Sequence, residues 1–272
     1  MKQQHTLDND DAQVGRILSR REVLALLGGS SAALLAACAP GALTSASPTA
    51  TNQQTSSAAA TAAAASSATA ATVLPSCIVR PALTEGPYFV DEKLSRSDIR
   101  SDPGTGAVRP GALLTLNFLV SRVSGSACTA LSGAVVDVWH CDASGVYSGV
   151  QGVGGDFLRG FQRTDANGSA AFTTIYPGWY PGRAVHVHFK LRLFAGSTKT
   201  YEFTSQFFFD EALTDAVYAQ SPYAARGRRN TLNSNDGIYN GLSSSEKAAL
   251  TLTPKAEGGA YAGVVTLGVR VS

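Results

Sequence analysis

An all-β fold, with an antiparallel β-sandwich core, long loops and one or two short helices, is the architecture this sequence predicts, on three observations. Residues 113–121, 134–140, 169–175, 185–194, 201–208 and 264–271 are rich in β-branched or aromatic side chains and are set apart by Gly, Pro, Asn and Asp, the pattern of strands punctuated by turns. Helical signals are few: residues 210–219 form one short candidate and 243–250 another, the latter with Ser243 as N-cap and Glu246 three residues on as a capping box. Asp165-Ala166-Asn167-Gly168, between Phe161 and Ala171, predicts a hairpin turn joining two strands.

Along the chain, three parts are expected. Residues 1–38 read as an export signal: Ser19-Arg20-Arg21-Glu22-Val23-Leu24 is a twin-arginine sequence ahead of an apolar run over 23–37 that is too short for a stable transmembrane anchor. Leu35-Ala36-Ala37-Cys38 resembles a lipobox, in which Cys38 is lipidated and becomes the new amino terminus; the other reading makes Cys38 a small residue of the apolar run, with cleavage nearby. Residues 39–73 are almost entirely Ala, Ser, Thr, Gly and Pro, which cannot build a core and suit a disordered tether. The domain is expected over 74–272, long enough to bury an ample core, on the periplasmic or extracellular face and membrane-tethered if Cys38 is acylated.

Lys and Arg number 22 against 20 Asp and Glu, a formal charge of +2. Residues 1–38 hold Lys2, Arg16, Arg20 and Arg21 against Asp8, Asp10, Asp11 and Glu22, so the same +2 survives their removal. That is no nucleic-acid footprint. Of the cysteines in the expected domain, Cys128 and Cys141 bracket a strand whose extended length is about 40 Å, far beyond the roughly 6 Å a disulfide spans. Cys77 is therefore the expected partner of one of them, and the sequence leaves open which.

The chemistry concentrates between Tyr147 and His188. Side chains alternate faces in an extended segment, so His186 and His188 share one face with Val187 on the other, a spacing that suits two imidazoles on one metal. Tyr147 and Tyr180 would complete the set. Phenolate oxygens added to neutral imidazole nitrogens favour a hard, highly charged ion such as ferric iron, Fe(III).

These residues fall in motifs that resemble the intradiol ring-cleavage dioxygenases, ferric enzymes that split catechols between their two hydroxyl-bearing carbons. Leu131-Ser132-Gly133-Ala134-Val135-Val136-Asp137-Val138-Trp139-His140-Cys141-Asp142 leads to Gly145-Val146-Tyr147-Ser148, similar to the family segment that holds its first tyrosinate. Pro177-Gly178-Trp179-Tyr180-Pro181-Gly182-Arg183 places Tyr180 where the family has its second, displaceable tyrosinate, and Arg183-Ala184-Val185-His186-Val187-His188 resembles its arginine and two histidine ligands. Thr204-Ser205-Gln206 and Thr84-Glu85-Gly86-Pro87-Tyr88 are similar to its glutamine and opening segments, so the resemblance spans residues 77–272. Two departures stand out. Ala184-Val185 replaces the usual Pro-Ala, and the interval from His188 to Gln206 is a few residues longer than in the family.

The resemblance implies Fe(III) bound by Tyr147, Tyr180, His186 and His188, with a small aromatic diol and dioxygen as substrates and a cis,cis-muconate-type diacid as product. It further implies that Tyr180 leaves the metal as the diol arrives and takes one of its protons. Arg183 would steady negative charge on the reacting ring, Gln206 would orient the reacting species, and Tyr88 would form a wall of the substrate pocket. Catechol, hydroxyquinol and protocatechuate-like compounds are the expected substrates, in no ranked order. The helical amino-terminal dimerisation region of catechol-type members is not evident, so the chain resembles the exported, lignocellulose-associated subgroup; its oligomeric state is open, a homo-oligomer included.

Plainer readings exist for each residue taken singly. A tyrosine is commonly a half-buried aromatic with its hydroxyl satisfied, an H-V-H pair is as readily a sheet pair or a zinc site, and Arg183 alone is a surface charge. His140 reads as structural and Asp137 as satisfying backbone. Two other functional classes follow: a non-catalytic exported β-sandwich binding module that holds no iron, and a zinc hydrolase built on the histidine pair, which needs a nearby carboxylate base or third histidine.

Overall fold

Alternating hydrophobicity builds the core strands. In β1 (Leu113–Ser124), Leu114, Leu116, Phe118 and Val120 are buried while their neighbours are less so, the period-two pattern of a strand with one face on the core. The computed structural model describes residues 79–124 and 127–270. The twin-arginine signal, Cys38, the tether, Cys77 and the expected boundary at 74 lie outside the described residues.

The other strands are β2 (Ala127–Ala130), β3 (Val135–Trp139), β4 (Arg159–Arg163), β5 (Ser169–Ile175), β6 (His186–Ala195), β7 (Thr198–Phe209), β8 (Thr251–Leu252), β9 (Lys255–Glu257) and β10 (Ala260–Val269). One sheet runs β2-β1-β10-β9 with β5 also paired to β1, and the second runs β4-β3-β6-β7-β8. Phe118 and Phe172 from the first sheet meet Phe189 and Phe207 from the second in the shared core. The sandwich is as expected, but its sheets are mixed, because β1 pairs with β10 and β7 with β8 in parallel. Only a short connection forces antiparallel pairing, and a long helical excursion separates β7 from β8.

The turn at 165–168 also departs from expectation. Asp165 accepts from the backbone N–H groups of Asn167 and Ser169 through Oδ1, and Gly168 takes φ +73°. Yet β4 pairs with β3 and β5 with β1, so the turn hands the chain from one sheet to the other. Its edge is captured by the end of β1, where Val120 N–H donates to Gly168 O at 2.7 Å.

Both predicted helices form. Helix α1 (Glu211–Tyr218) is capped by the Asp210 carboxylate, which accepts from Leu213 N–H. Helix α3 (Ser244–Leu250) carries the capping box of Ser243 and Glu246. Between them lie a 3₁₀ turn (Tyr223–Arg226) and a one-turn helix α2 (Gly237–Asn240) capped by Asp236.

The second sheet is buried on both faces. Val136 and Val138 of β3, Val187, Phe189 and Leu191 of β6, and Phe207 and Phe209 of β7 enter the sandwich core. Strand alternation sends Asp137 and Trp139, His186, His188 and Lys190, and Thr204, Gln206 and Phe208 to the opposite face, where they too are buried. The pairing register sets Arg159, Trp139, His188 and Gln206 side by side across four strands.

Candidate metal centre

His186 and His188 stand on this outer face with their Nε2 atoms 3.0 Å apart. His186 Nδ1 faces Ala184 O at 2.7 Å; a carbonyl only accepts, so Nδ1 carries the proton and Nε2 presents a lone pair to the centre. His188 is oriented differently. Its Nδ1 has no hydrogen-bond partner among the described residues, and the ring instead lies flat against Trp139.

Tyr147 and Tyr180 come from loops. Tyr180 Oη lies 3.2 Å and Tyr147 Oη 3.5 Å from His186 Nε2. The two loops are zipped together: Gly178 N–H donates to Asp142 O, and the Cys141 thiol donates to Gly178 O. Backbone approaches so closely that a Cβ at Gly145 would collide with Trp179 O, and one at Gly178 with the carbonyls of Asp142 and Ala143. The Asp142 carboxylate stiffens the first loop by accepting from Ser144 N–H, Ser144 Oγ and Val146 N–H.

Arg159, on β4, ties the covering segments down. Its guanidinium donates to Ser148 Oγ and Ser148 O, next to Tyr147, and to Tyr88 O at 3.3 Å. Tyr88 then stacks on Tyr147 with ring centroids 4.4 Å apart. Glu85, three residues earlier, pairs with the buried Lys190 of β6.

Arg183 and Gln206 are brought to the same place. Arg183 Nη2 donates to Gln206 Oε1 at 2.6 Å, and Gln206 Nε2 donates to Thr84 O at 2.9 Å. Arg183 Nε donates to Asp236 Oδ2 at 2.9 Å. Three residues with roles here were not picked out from sequence: Trp139, Arg159 and Asp236. Trp139 falls opposite His188 and Arg159 opposite Trp139, a register between remote segments that the sequence does not display; Asp236 had only a weak cap signal ahead of Gly237.

Burial governs the electrostatics. Desolvation holds His186 and His188 well below the usual imidazole range, with Arg183 adding to the effect, so both are neutral. Desolvation raises both phenols, Tyr147 and Tyr180, and the Arg183 charge opposes it. Tyr147, His186 and His188 are buried, whereas Tyr180 is only partly covered.

The donor set fits a metal ion. Ligands about 2.1 Å from one ion lie about 3 Å apart when adjacent, close to the 3.0, 3.2 and 3.5 Å separations around His186 Nε2. A cation there would offset the desolvation of two phenolates. Neutral nitrogen with anionic oxygen suits ferric iron. Among the described residues, no three His, Cys, Asp or Glu side chains cluster as metal ligands, so the zinc-hydrolase reading finds no such set.

Other sequence readings resolve as follows. His140 is structural, with Nδ1 on Cys141 O and Nε2 on Thr174 Oγ1. Asp137 is held bidentately by Arg192; a side-chain cation, not backbone, satisfies it. Cys128 is disulfide-bonded and Cys141 is a buried free thiol that burial pushes up to about 12.

The family model Dioxygenase_C, described as "Dioxygenase", matches residues 84–232, more than half of the 272. An intradiol ring-cleavage dioxygenase from Tetranychus urticae superposes with a TM-score of 0.59 at 29% identity, covering 71% of this chain and 95% of that one. The dioxygenase domain of a dioxygenase carbohydrate-binding protein fusion from Streptomyces sp. SirexAA-E gives a TM-score of 0.50 at 25% identity, covering 72% and 100%. Catechol 1,2-dioxygenase 1 of Acinetobacter lwoffii is 29% identical over 153 residues, 47% of this chain and 45% of the relative; the chain thus spans about half the length of the curated relatives it matches. With the tyrosine and histidine set in place and the family model matched, the chain belongs to the intradiol ring-cleavage dioxygenase family.

Proposed function

We propose that this protein is a ferric-iron-dependent dioxygenase that cleaves catechol-type aromatic diols with dioxygen to cis,cis-muconate-type diacids. The observation that carries this reading is the convergence of Tyr147, Tyr180 and His188 on His186 Nε2 within 3.5 Å.

Tyr147, Tyr180, His186 and His188 would hold the ion. When bound, ferric iron supplies Lewis acidity that lowers the pKa of a diol and makes its ring reactive toward oxygen. Tyr180, partly covered and on a loop, would make room for the incoming diol and take one of its protons at Oη. Tyr147, buried under Tyr88 and braced through Ser148 by Arg159, stays in place. Arg183 presents a fixed cation to the negative charge that develops on the substrate, an arrangement most effective where water is excluded. Tyr88 offers an aromatic face to the substrate ring. Export through the twin-arginine route, with Cys38 as a lipid anchor, would place this activity outside the cytoplasmic membrane, and the folded cargo of that route suits a cofactor inserted beforehand.

The test is a visible spectrum of the purified domain with iron content on the same sample, before and after anaerobic addition of catechol. A tyrosinate-to-iron charge-transfer band that shifts on addition is expected. Protein that stays colourless after iron reconstitution would sink the reading in favour of a binding module.

A further inference from the structure

Asp236 is fully buried and lies beyond residue 232, where the family-model match ends. Its two carboxylate oxygens do separate jobs. Oδ1 caps helix α2, accepting from Ile238 N–H at 2.9 Å and Tyr239 N–H at 2.8 Å. Oδ2 accepts from Arg183 Nε at 2.9 Å and from Ala184 N–H at 2.7 Å. One side chain therefore joins the start of α2 to the two residues ahead of Val185 and His186.

A helix cap needs one oxygen, which Ser or Asn would supply. The second oxygen, and the negative charge, go to Arg183. Desolvating such a pair is poor value as stability, because the penalty rivals the attraction; what it delivers is a fixed guanidinium. The Arg183 side chain remains 18% exposed, so without this anchor its long stem is free to swing toward water. With it, Nη2 is pressed onto Gln206, whose own amide holds Thr84 O.

We propose that Asp236 is a positioning residue: it fixes the Arg183 guanidinium beside the Tyr147, Tyr180, His186 and His188 centre, so that the cation meets the negative charge of a catecholate bound there. This rests on the ferric dioxygenase reading and deepens it.

A double-mutant cycle tests the idea. Wild type, Asp236→Asn, Arg183→Met and the double variant are loaded with iron, and the Kd for 4-nitrocatechol is read anaerobically from the shift of the visible band. Asp236→Asn keeps a capping oxygen but turns the other position into a donor. Asp236→Ser, which keeps the cap and removes the second oxygen, serves where the Asn variant does not fold. Urea midpoints of the iron-free proteins are measured alongside.

Binding is expected to weaken about tenfold on changing Asp236 in the native background, and not to weaken further in the Arg183→Met background. Equal losses in both backgrounds mean a structural role only and overturn the proposal. A wild-type protein that shows no iron-dependent band removes the dioxygenase reading itself, a different outcome from additive losses in a coloured protein.

Discussion

Trp139 and His188 stack face to face, ring centroids 4.9 Å apart and planes 8° from parallel, because β3 and β6 pair in the register that sets them opposite each other. Metal-bound histidines usually fix their orientation through a hydrogen bond from the second nitrogen. In the proposed centre the indole surface would take that part for His188, since His188 Nδ1 has no partner among the described residues. Trp139→Leu should therefore lower iron affinity about 10- to 100-fold, the range seen when an outer partner is lost. Competition with a chelator checks it, and unchanged affinity would show that the stack does not orient the ring.

Tyr147→Phe and Tyr180→Phe each delete one phenolic oxygen and leave the ring packing. Both should weaken and shift the visible band, since one tyrosinate remains in each, and lose activity, Tyr147→Phe by more than the roughly 100-fold ceiling for outer partners. Metal analysis of the same samples separates the alternatives, because a histidine-bound zinc protein would keep its metal in both variants.

Substituting Gly178 by Ala forces a Cβ onto the carbonyls of Asp142 and Ala143. Overpacking of this kind costs about 1–3 kcal/mol. Because the same contact zips the two tyrosine loops, the variant should show a lower urea midpoint and a weaker charge-transfer band together. A lower midpoint with a native spectrum would mean that the loops hold register without the close contact.

Stability should also follow the titration of His140. Burial holds its imidazole down at about 4, against an ordinary 6.5. The unfolded chain takes up a proton below about pH 6.5 and the folded protein does so only near 4. The contribution is therefore full above pH 6.5 and is lost as pH falls toward 4, with a slope of up to about 1.4 kcal/mol per pH unit. His140→Asn, which can still donate to Cys141 O, should flatten that slope in urea unfolding series at pH 7, 6 and 5. Parallel curves for the two proteins would remove His140 from the account.

Strand existence and the shared face of His186 and His188 were legible because both depend on period-two alternation, which sequence displays directly. His186, Val187 and His188 obey it, as do Leu114, Leu116 and Phe118. What could not be seen was pairing between segments remote in sequence. The turn at Asp165 is written locally, but whether β5 joins β4 or β1 is decided by the edge that Val120 offers. Arg159 and Asp236 were missed for the same reason: a buried charge looks like a surface charge until its distant partners, Ser148 and Tyr88 O in one case and Arg183 in the other, are in place. Asp137 was misread because Arg192, not the local backbone, satisfies it.

Two of the four proposed metal donors stand on a strand locked into a sheet buried on both faces, and two hang from loops; Tyr147 and His186 are 39 residues apart in the chain. An ion gripped by all four would thus act as a reversible cross-link between the sheet and the two loops, restricting the chain as a covalent staple closing a loop of that length does. Chelation should consequently release loops 142–147 and 177–183 first, and protease nicking there would report loss of the ion before global melting does.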